Sequence, residues 1–348
     1  MKKGPEVQLP AFLARTPCLR KKRLSLRGQV LSLHWNRRRF LQATAVVGVG
    51  ALALAGDGIP EANHPQLVRL NLPLTRLPAA LDGFTIAHLS DIHYDQVFSA
   101  VALRKAVNMV NDLHPDLVVI TGDFVTIPVF SDYLHNAKQG ADTSEAAAQA
   151  LSQIRARGGV FAVLGNHDHD SDPDRVIAAL AAKGIQMLRN HSVPIEAAGA
   201  RLWLSGVDDV LVGKPDLDLT LKGIPGDEPV VLLSHEPDFA DRAAKYPIDL
   251  QLSGHSHGGQ IRLPLVGALF LPDLAKKYPW GLRTIGRLTL YTNVGLGTVR
   301  IPARLNCPPE ITLITLRASR YNNGGTGVPA RQRRRRAGTG SAVPVSFG

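Results

Sequence analysis

Between residues 82 and 316 short apolar runs alternate with segments whose apolar residues recur at helical spacing. FTIAHLS (84–90) is an apolar run ending in polar residues. AVALRKAVNMVNDL (100–113) predicts a helix, and Pro115 stops it. DLVVITGD (116–123) is continuous and β-branched, the pattern of a strand buried on both faces. SEAAAQALSQIRAR (144–157) predicts a second helix, ended by Gly158-Gly159. VFAVLGN (160–166) predicts another buried strand, and DPDRVIAALAAKG (172–184) a helix with Asp at its start and Gly at its end. The second half is richer in strands: RLWLSGV (201–207), PVVLLSH (229–235), IDLQLSGH (248–255), LTLYTNVGLG (288–297) and EITLITL (310–316). With no internal repeat and no linker inside 82–316, the pattern predicts one α/β domain of two β-rich sheets flanked by helices.

The ends read differently. The net charge of +11 is carried by them: residues 1–39 hold +10 and residues 317–348 hold +7, leaving the core at −6. Basic ends mark targeting, a membrane surface or disorder. The core has no aromatic-interleaved basic patch, which argues against nucleic-acid binding. Residues 36–42 read Asn-Arg-Arg-Arg-Phe-Leu-Gln, followed by ATAVVGVGALALAG. Positive residues, a moderately apolar run and then Ala53-Leu54-Ala55 follow the order of a secretory signal, and the paired arginines before x-Phe-Leu resemble a twin-arginine export signal. The run falls short of the roughly 20 residues of a membrane span. Residues 1–56 are therefore expected to be a basic leader and twin-arginine-type signal or anchor, 57–318 the folded domain, and 319–348 a disordered Arg-rich tail. Export through the twin-arginine machinery would place the domain outside the cytoplasm or at the membrane. Of two cysteines, Cys18 lies in the leader, which leaves Cys307 alone, so no disulfide framework is available and a thiolate zinc site is argued against.

One feature recurs along the core. The apolar runs end at their C-terminal edge in a metal-ligand side chain: Ser90-Asp91-Ile92-His93, Thr121-Gly122-Asp123, Gly165-Asn166-His167-Asp168, Ser234-His235 and Gly254-His255-Ser256-His257. In open α/β sheets that edge is where ligands bind. Each residue alone has an ordinary explanation, as a turn, a cap or a hydrogen-bonded core histidine. Five turns all choosing such residues do not, because charged and imidazole groups beside buried strands are costly unless paired or metal-bound. Asp91-x-His93 sets two ligands on one side of an extended segment. A turn within His255-Ser256-His257 could send its imidazoles to different metals. The mixture of imidazole, carboxylate and amide suits manganese, iron or zinc. Asp123 has two oxygens and can bridge two ions, which together would hold a hydroxide for in-line attack on phosphorus.

These five motifs, in order over 84–316, resemble the calcineurin-like metallophosphoesterase family. The resemblance implies a four-layer α/β/β/α sandwich and two divalent metal ions. It implies that Asp91, His93 and His257 hold the first ion, that Asn166, His235 and His255 hold the second, and that Asp123 bridges them. His167 would sit over the substrate, with Asp168 orienting it. Gly254-His255-Ser256-His257-Gly258-Gly259-Gln260 and the closing Asn293-Val294-Gly295-Leu296-Gly297…Pro302-Ala303-Arg304…Pro309-Glu310-Ile311 are similar to a YkuE- and YaeI-like exported, membrane-associated branch. They are also similar to enzymes that cleave UDP-2,3-diacylglucosamine. One departure from the family pattern is Phe124-Val125-Thr126 after the second motif, where many relatives place an Asp.

The expected function is a metal-dependent phosphodiesterase or pyrophosphatase acting on a phosphate ester, with a lipid-linked or nucleotide-sugar substrate favoured by the basic leader. A cytoplasmic nucleic-acid phosphodiesterase and a non-catalytic metal-binding module are the alternatives. Arg262, Tyr278, Trp280 and Arg304 are weaker candidates for substrate contact, Arg304 the best of them. PLVGALFLPDLAKK (264–277) reads either as a lip that touches a membrane surface or as a loop packed over the sheet. His169, Asp170 and Asp172 read as loop and helix-capping residues.

Overall fold

The computed structural model describes residues 54–126 and 139–319. The expected leader, apart from its last three residues, and the expected tail, apart from Ser319, lie outside the described residues. Two six-stranded sheets carry the fold. The first runs β1 (Gln66–Leu74), β14 (Glu310–Ala318), β2 (Thr85–Leu89), β3 (Leu117–Thr121), β4 (Val160–Val163), β5 (Ile185–Met187). Strands β2 to β5 are parallel; β14 lies antiparallel to β2, with β1 parallel outside it. The second runs β12 (Gly281–Ile285), β13 (Leu288–Thr292), β9 (Leu250–Ser253), β8 (Val230–Leu233), β7 (Ala200–Gly206), β6 (His191–Ala197). Its four central strands are parallel, and the two edge strands are antiparallel to their neighbours. A short ribbon, β10 (Arg262–Leu263) with β11 (Gly267–Ala268), stands apart from both.

The alternation within each buried strand explains the layers. In β3, Leu117 and Val119 face the second sheet and meet a core that includes Ile86, Phe161, Leu204, Val231 and Leu252. Val118 and Ile120 point the other way, toward Leu103, Ala106 and Val110 of the helix Ala100–Leu113. The far face of the second sheet, with Val230, Leu232 and Leu290, is covered by Leu217, Phe239, Ala240 and Ala243. Each fully buried Val, Leu or Ile contributes about 1.5–3 kcal/mol, so strands apolar on both faces can be satisfied only by covering both. The result is the expected α/β/β/α sandwich.

Two elements differ from the sequence pattern. The helix expected over 144–157 ends at Leu151. Asn111 explains the stop: its side chain donates to Gln153 O (2.9 Å) and accepts from Arg155 N (2.8 Å), drawing the chain out of helical register. Strand β1 lies before the expected start of the core. It is an edge strand with Leu72 and Leu74 buried and Arg69, Asn71 and Pro73 exposed, an alternating pattern weaker than the continuous runs.

Candidate metal centre

All five ligand-bearing segments reach one edge, because β2, β3 and β4 are parallel in one sheet and β8 and β9 in the other. Beyond β2 and β3 the two segments keep pairing: Asp91 N donates to Gly122 O (3.0 Å) and His93 N to Asp123 O (2.9 Å). Two glycines make room. A Cβ on Gly122, whose φ is +87°, would lie 2.5 Å from Gly165 N and 2.8 Å from His235 Nδ1. A Cβ on Gly254 would collide with Ser90 Oγ and the Asp91 carboxylate.

The local backbone is not the extended strand that Asp91-x-His93 suggested. Asp91, His93, Asp123, His255 and His257 all have left-handed φ, between 40° and 66°. Each such non-glycine conformation costs on the order of 1–3 kcal/mol and persists where surrounding contacts impose it. Here the strain turns the side chains inward toward one another.

The side chains form two groups that share Asp123. Asp91, His93, Asp123 and His257 converge on one side, and Asp123, His235 and His255 on the other. Asp123 Oδ2 lies 3.3 Å from both His93 Nε2 and His235 Nε2. His257 Nε2 lies 3.3 Å from Asp91 Oδ1 and 3.1 Å from His93 Nε2. His255 and His257 are thus sent to different groups. Asn166 is buried, and its Oδ1 has no hydrogen-bond partner.

Hydrogen bonds at the back of the second group set its tautomers. His235 Nδ1 donates to Thr121 O (2.5 Å), and His255 Nε2 donates to Asp273 O (2.9 Å). In the neutral rings the lone pairs are then on His235 Nε2 and His255 Nδ1, which face each other at 3.1 Å. Two lone pairs at that distance repel unless a cation or a proton lies between them. The residues therefore fit divalent ions: inward lone pairs, a shared carboxylate, an unpartnered amide oxygen and hardly any solvent access.

The electrostatics agree. Burial alone would raise the Asp123 carboxyl, but His235 and His167 outweigh it and hold Asp123 well below the usual range. Burial would lower His235; Asp123 reverses this and raises it well above the usual imidazole value. Burial together with neighbouring imidazoles lowers His255 and His257. One proton, on His235, thus offsets carboxylate charge when no ion does.

His167 stands at the mouth, half-buried, its ring edge-on to His93 at a centroid distance of 4.8 Å. Its backbone N–H donates to Asp123 Oδ1 (2.9 Å). Burial brings its pKa down to about 4, so the imidazole is neutral.

Asp168 does not orient His167. Its Oδ1 accepts from Phe124 N (2.8 Å) and Val125 N (3.2 Å), and its Oδ2 from Gly165 N (3.0 Å). As third residue of the short helix Asn166–Ser171 it reaches back to the residue before the helix, as a capping carboxylate does. With both oxygens taken, it ties the Asp123 loop to the Asn166 loop. Burial and nearby Asp123 raise it to about 7.

Arg304 is likewise no phosphate contact. It is fully buried and donates to Gly297 O, Val294 O and Cys307 O at 2.6–3.2 Å. The loop it braces donates Leu296 N to Ser90 O and Gly297 N to Asp91 O (3.0 and 2.7 Å). Arg262 stacks on Trp280 (4.2 Å) and bonds Gly258 O, while Tyr278 bonds Asp241. Asp172 caps the helix Pro173–Ala181, as expected. Asp208, not among the residues expected from the sequence, accepts from His169 Nε2 (2.7 Å) and Arg189. Its one signal was an acidic pair directly after the RLWLSGV run. A broad groove lined by His114, Arg155, Arg157 and Lys183 lies at the opposite edge, where β4 and β5 begin, and holds none of these residues.

The Calcineurin-like phosphoesterase family model matches residues 84–259, which span the ligand motifs from Asp91 to His257. The chain belongs to the calcineurin-like phosphoesterase family. It is similar to "Uncharacterized metallophosphoesterase YkuE" of Bacillus subtilis, 34% identical over 292 residues that cover 82% of this chain and 98% of that protein. It is similar to "Phosphodiesterase YaeI" of Escherichia coli, 31% identical over 287 residues covering 81% and 99%. A more distant relative is "UDP-2,3-diacylglucosamine pyrophosphatase LpxG" of Chlamydia muridarum, 26% identical over 332 residues covering 78% and 95%. The chain is thus a metallophosphoesterase, a hydrolase of ester bonds, and its family uses two divalent metal ions.

Proposed function

We propose that this chain cleaves a phosphodiester or pyrophosphate bond in a lipid-linked or nucleotide-sugar substrate, at the membrane or outside the cytoplasm. The placement of Asp123 Oδ2, 3.3 Å from an imidazole of each group, carries the hydrolytic reading, because a shared carboxylate is what a two-ion centre requires. Asp91, His93 and His257 would hold one ion, Asn166, His235 and His255 the other, and Asp123 both. Bound there, the ions supply Lewis-acid neutralisation of the phosphoryl group and a nucleophile at neutral pH. The chain's own residues do the rest. Thr121 O and Asp273 O keep His235 and His255 in the metal-binding tautomer. Neutral His167, fixed through its backbone to Asp123, offers an N–H to a phosphoryl or leaving-group oxygen.

The twin-arginine pattern in 36–42 and the apolar run after it support the location. The relative LpxG, a UDP-2,3-diacylglucosamine pyrophosphatase by name, supports a lipid-linked pyrophosphate. The test compares bis-p-nitrophenyl phosphate with p-nitrophenyl phosphate after chelation and manganese readdition. Restored diester cleavage is expected; restored monoester cleavage alone would replace a phosphodiesterase by a phosphatase. Recovery of the full-length chain in the cytosolic fraction of cells would overturn the location.

A further inference from the structure

The ribbon β10–β11 turns on Leu263-Pro264-Leu265-Val266 and continues into Leu269-Phe270, and these apolar side chains are outside the core. Leu265 is fully exposed; Val266, Leu269 and Phe270 are 69%, 57% and 64% exposed. Ile301 is also exposed, and its neighbour Arg300 lies over the Phe270 ring at 5.8 Å, so one patch joins the two segments. Contiguous apolar surface of this kind marks a partner.

Two features of the chain indicate which partner. The ribbon is rooted on the loop 304–307: Arg262 N donates to Leu305 O, and Asn306 Nδ2 to Arg262 O, both at 2.9 Å. The chain enters the domain on that same loop. Gly58 O accepts from Arg304 N (2.9 Å), and the Glu61 carboxylate accepts from Asn306 N and Cys307 N (3.2 and 2.6 Å). The residues just before Gly58 are the apolar run beginning at Phe40. That run is short for a membrane span, which takes roughly 20 residues, and stable attachment by a weak anchor takes a second signal. Among the described residues no helix is long and apolar enough to cross a membrane.

We infer that the ribbon tip, Leu263–Phe270 with Ile301, inserts into the surface of a lipid bilayer, as a second contact beside the N-terminal apolar run. Arg300 at the rim suits anionic headgroups. The ribbon is tied to the metal centre at both ends. Gly259, two residues after His257, packs on Ala268 so closely that a Cβ would collide with it. Beyond the tip, Asp273 O holds His255. A bilayer under the tip would therefore lie beside the mouth of the site. The inference extends the proposed location and is independent of the hydrolytic reading.

The test uses the full chain with Cys18→Ser, reconstituted into vesicles of phosphatidylcholine and phosphatidylglycerol; Cys307 is buried and does not label. Leu265→Cys is labelled with an environment-sensitive nitrobenzoxadiazole probe. Ala198→Cys serves as control, since Ala198 precedes β7 and so lies at the opposite edge of the sheet. The expected result is a rise in emission of at least about twofold at position 265 on meeting lipid, quenching there by doxyl-labelled lipid, and neither effect at 198. No quenching at 265 overturns the inference, whether or not the chain floats with the vesicles. Equal quenching at both positions overturns it too, as non-specific adsorption. Emission at 265 that rises with protein concentration and not with lipid would instead place a second copy on the ribbon. Diester cleavage by the labelled chains, measured in parallel, reports separately on the hydrolytic reading.

Discussion

Replacing Asp168 by Ala separates two roles for a buried carboxylate. If it holds loops, as its three backbone partners indicate, the variant leaves Gly165 N, Phe124 N and Val125 N without an acceptor. A buried unsatisfied donor costs about 1–3 kcal/mol, so three would cost roughly 3–9 kcal/mol. Water entering the emptied space recovers part of this, leaving about 3–5 kcal/mol. In a domain of this size 1 kcal/mol moves the melting temperature by about 2–4 °C, which predicts a drop of roughly 6–20 °C. The assay is thermal unfolding of the full chain in detergent, with and without manganese, alongside the pH profile of kcat for diester cleavage. Asp168→Asn keeps one acceptor oxygen but turns an amide toward one of the N–H groups, so it should fall between wild type and Asp168→Ala. An unchanged melting temperature, with kcat reduced and its pH profile displaced, would refute the reasoning and return Asp168 to His167.

Asp123→Ala should lose the ion pair and all diester cleavage, because it removes the ligand common to both groups; metal analysis and activity check this together. Metal affinity should rise with pH: the His235 pKa is raised, so near neutrality the ion must displace a proton, and titration calorimetry in buffers of different ionisation enthalpy should detect its release. His88, fully buried and bonded to Thr121, is lowered to about 3 by burial. Its unfolded value lies near 6.5, so the unfolded chain binds the proton first, and stability falls as pH drops from about 6.5 toward 3, by several kcal/mol in all. Urea unfolding of the metal-free chain between pH 7 and 4 should show this slope, flattened in His88→Gln; equal slopes would count against it. Arg304→Met should lower the melting temperature with little effect on KM, since it frees buried carbonyls; a raised KM at unchanged stability would restore a phosphate-binding role.

The apolar runs make β2, β3, β4, β8 and β9 readable, because a strand buried on both faces is apolar at most positions, with only a few buried polar residues such as His88 and Gln251 inside. Their polar endings pointed to the metal centre for the same reason: Asp91, Asp123 and His235 interrupt segments that are otherwise apolar. Edge strands such as β1 mix polar and apolar residues and carry no such signal. Asp168 and Arg304 show a different limit. Their type and their neighbours in the sequence suggest chemistry. What they do depends on backbone groups brought in from other loops, and a backbone N–H or C=O leaves no trace in the residue string.

The ligands come from both sheets. Asp91, His93, Asp123 and Asn166 follow strands of the first, and His235, His255 and His257 follow strands of the second. The loop that closes over Asp91 comes later still, just before β14 returns to the first sheet. During synthesis the first half of the chain therefore emerges with four of the ligand side chains and without the three histidines that complete the two groups. The centre becomes complete only after long-range closure, among the slowest kinds of contact to form. A complete set of ligands therefore exists only once the two sheets have come together, and ion binding has to wait for that docking.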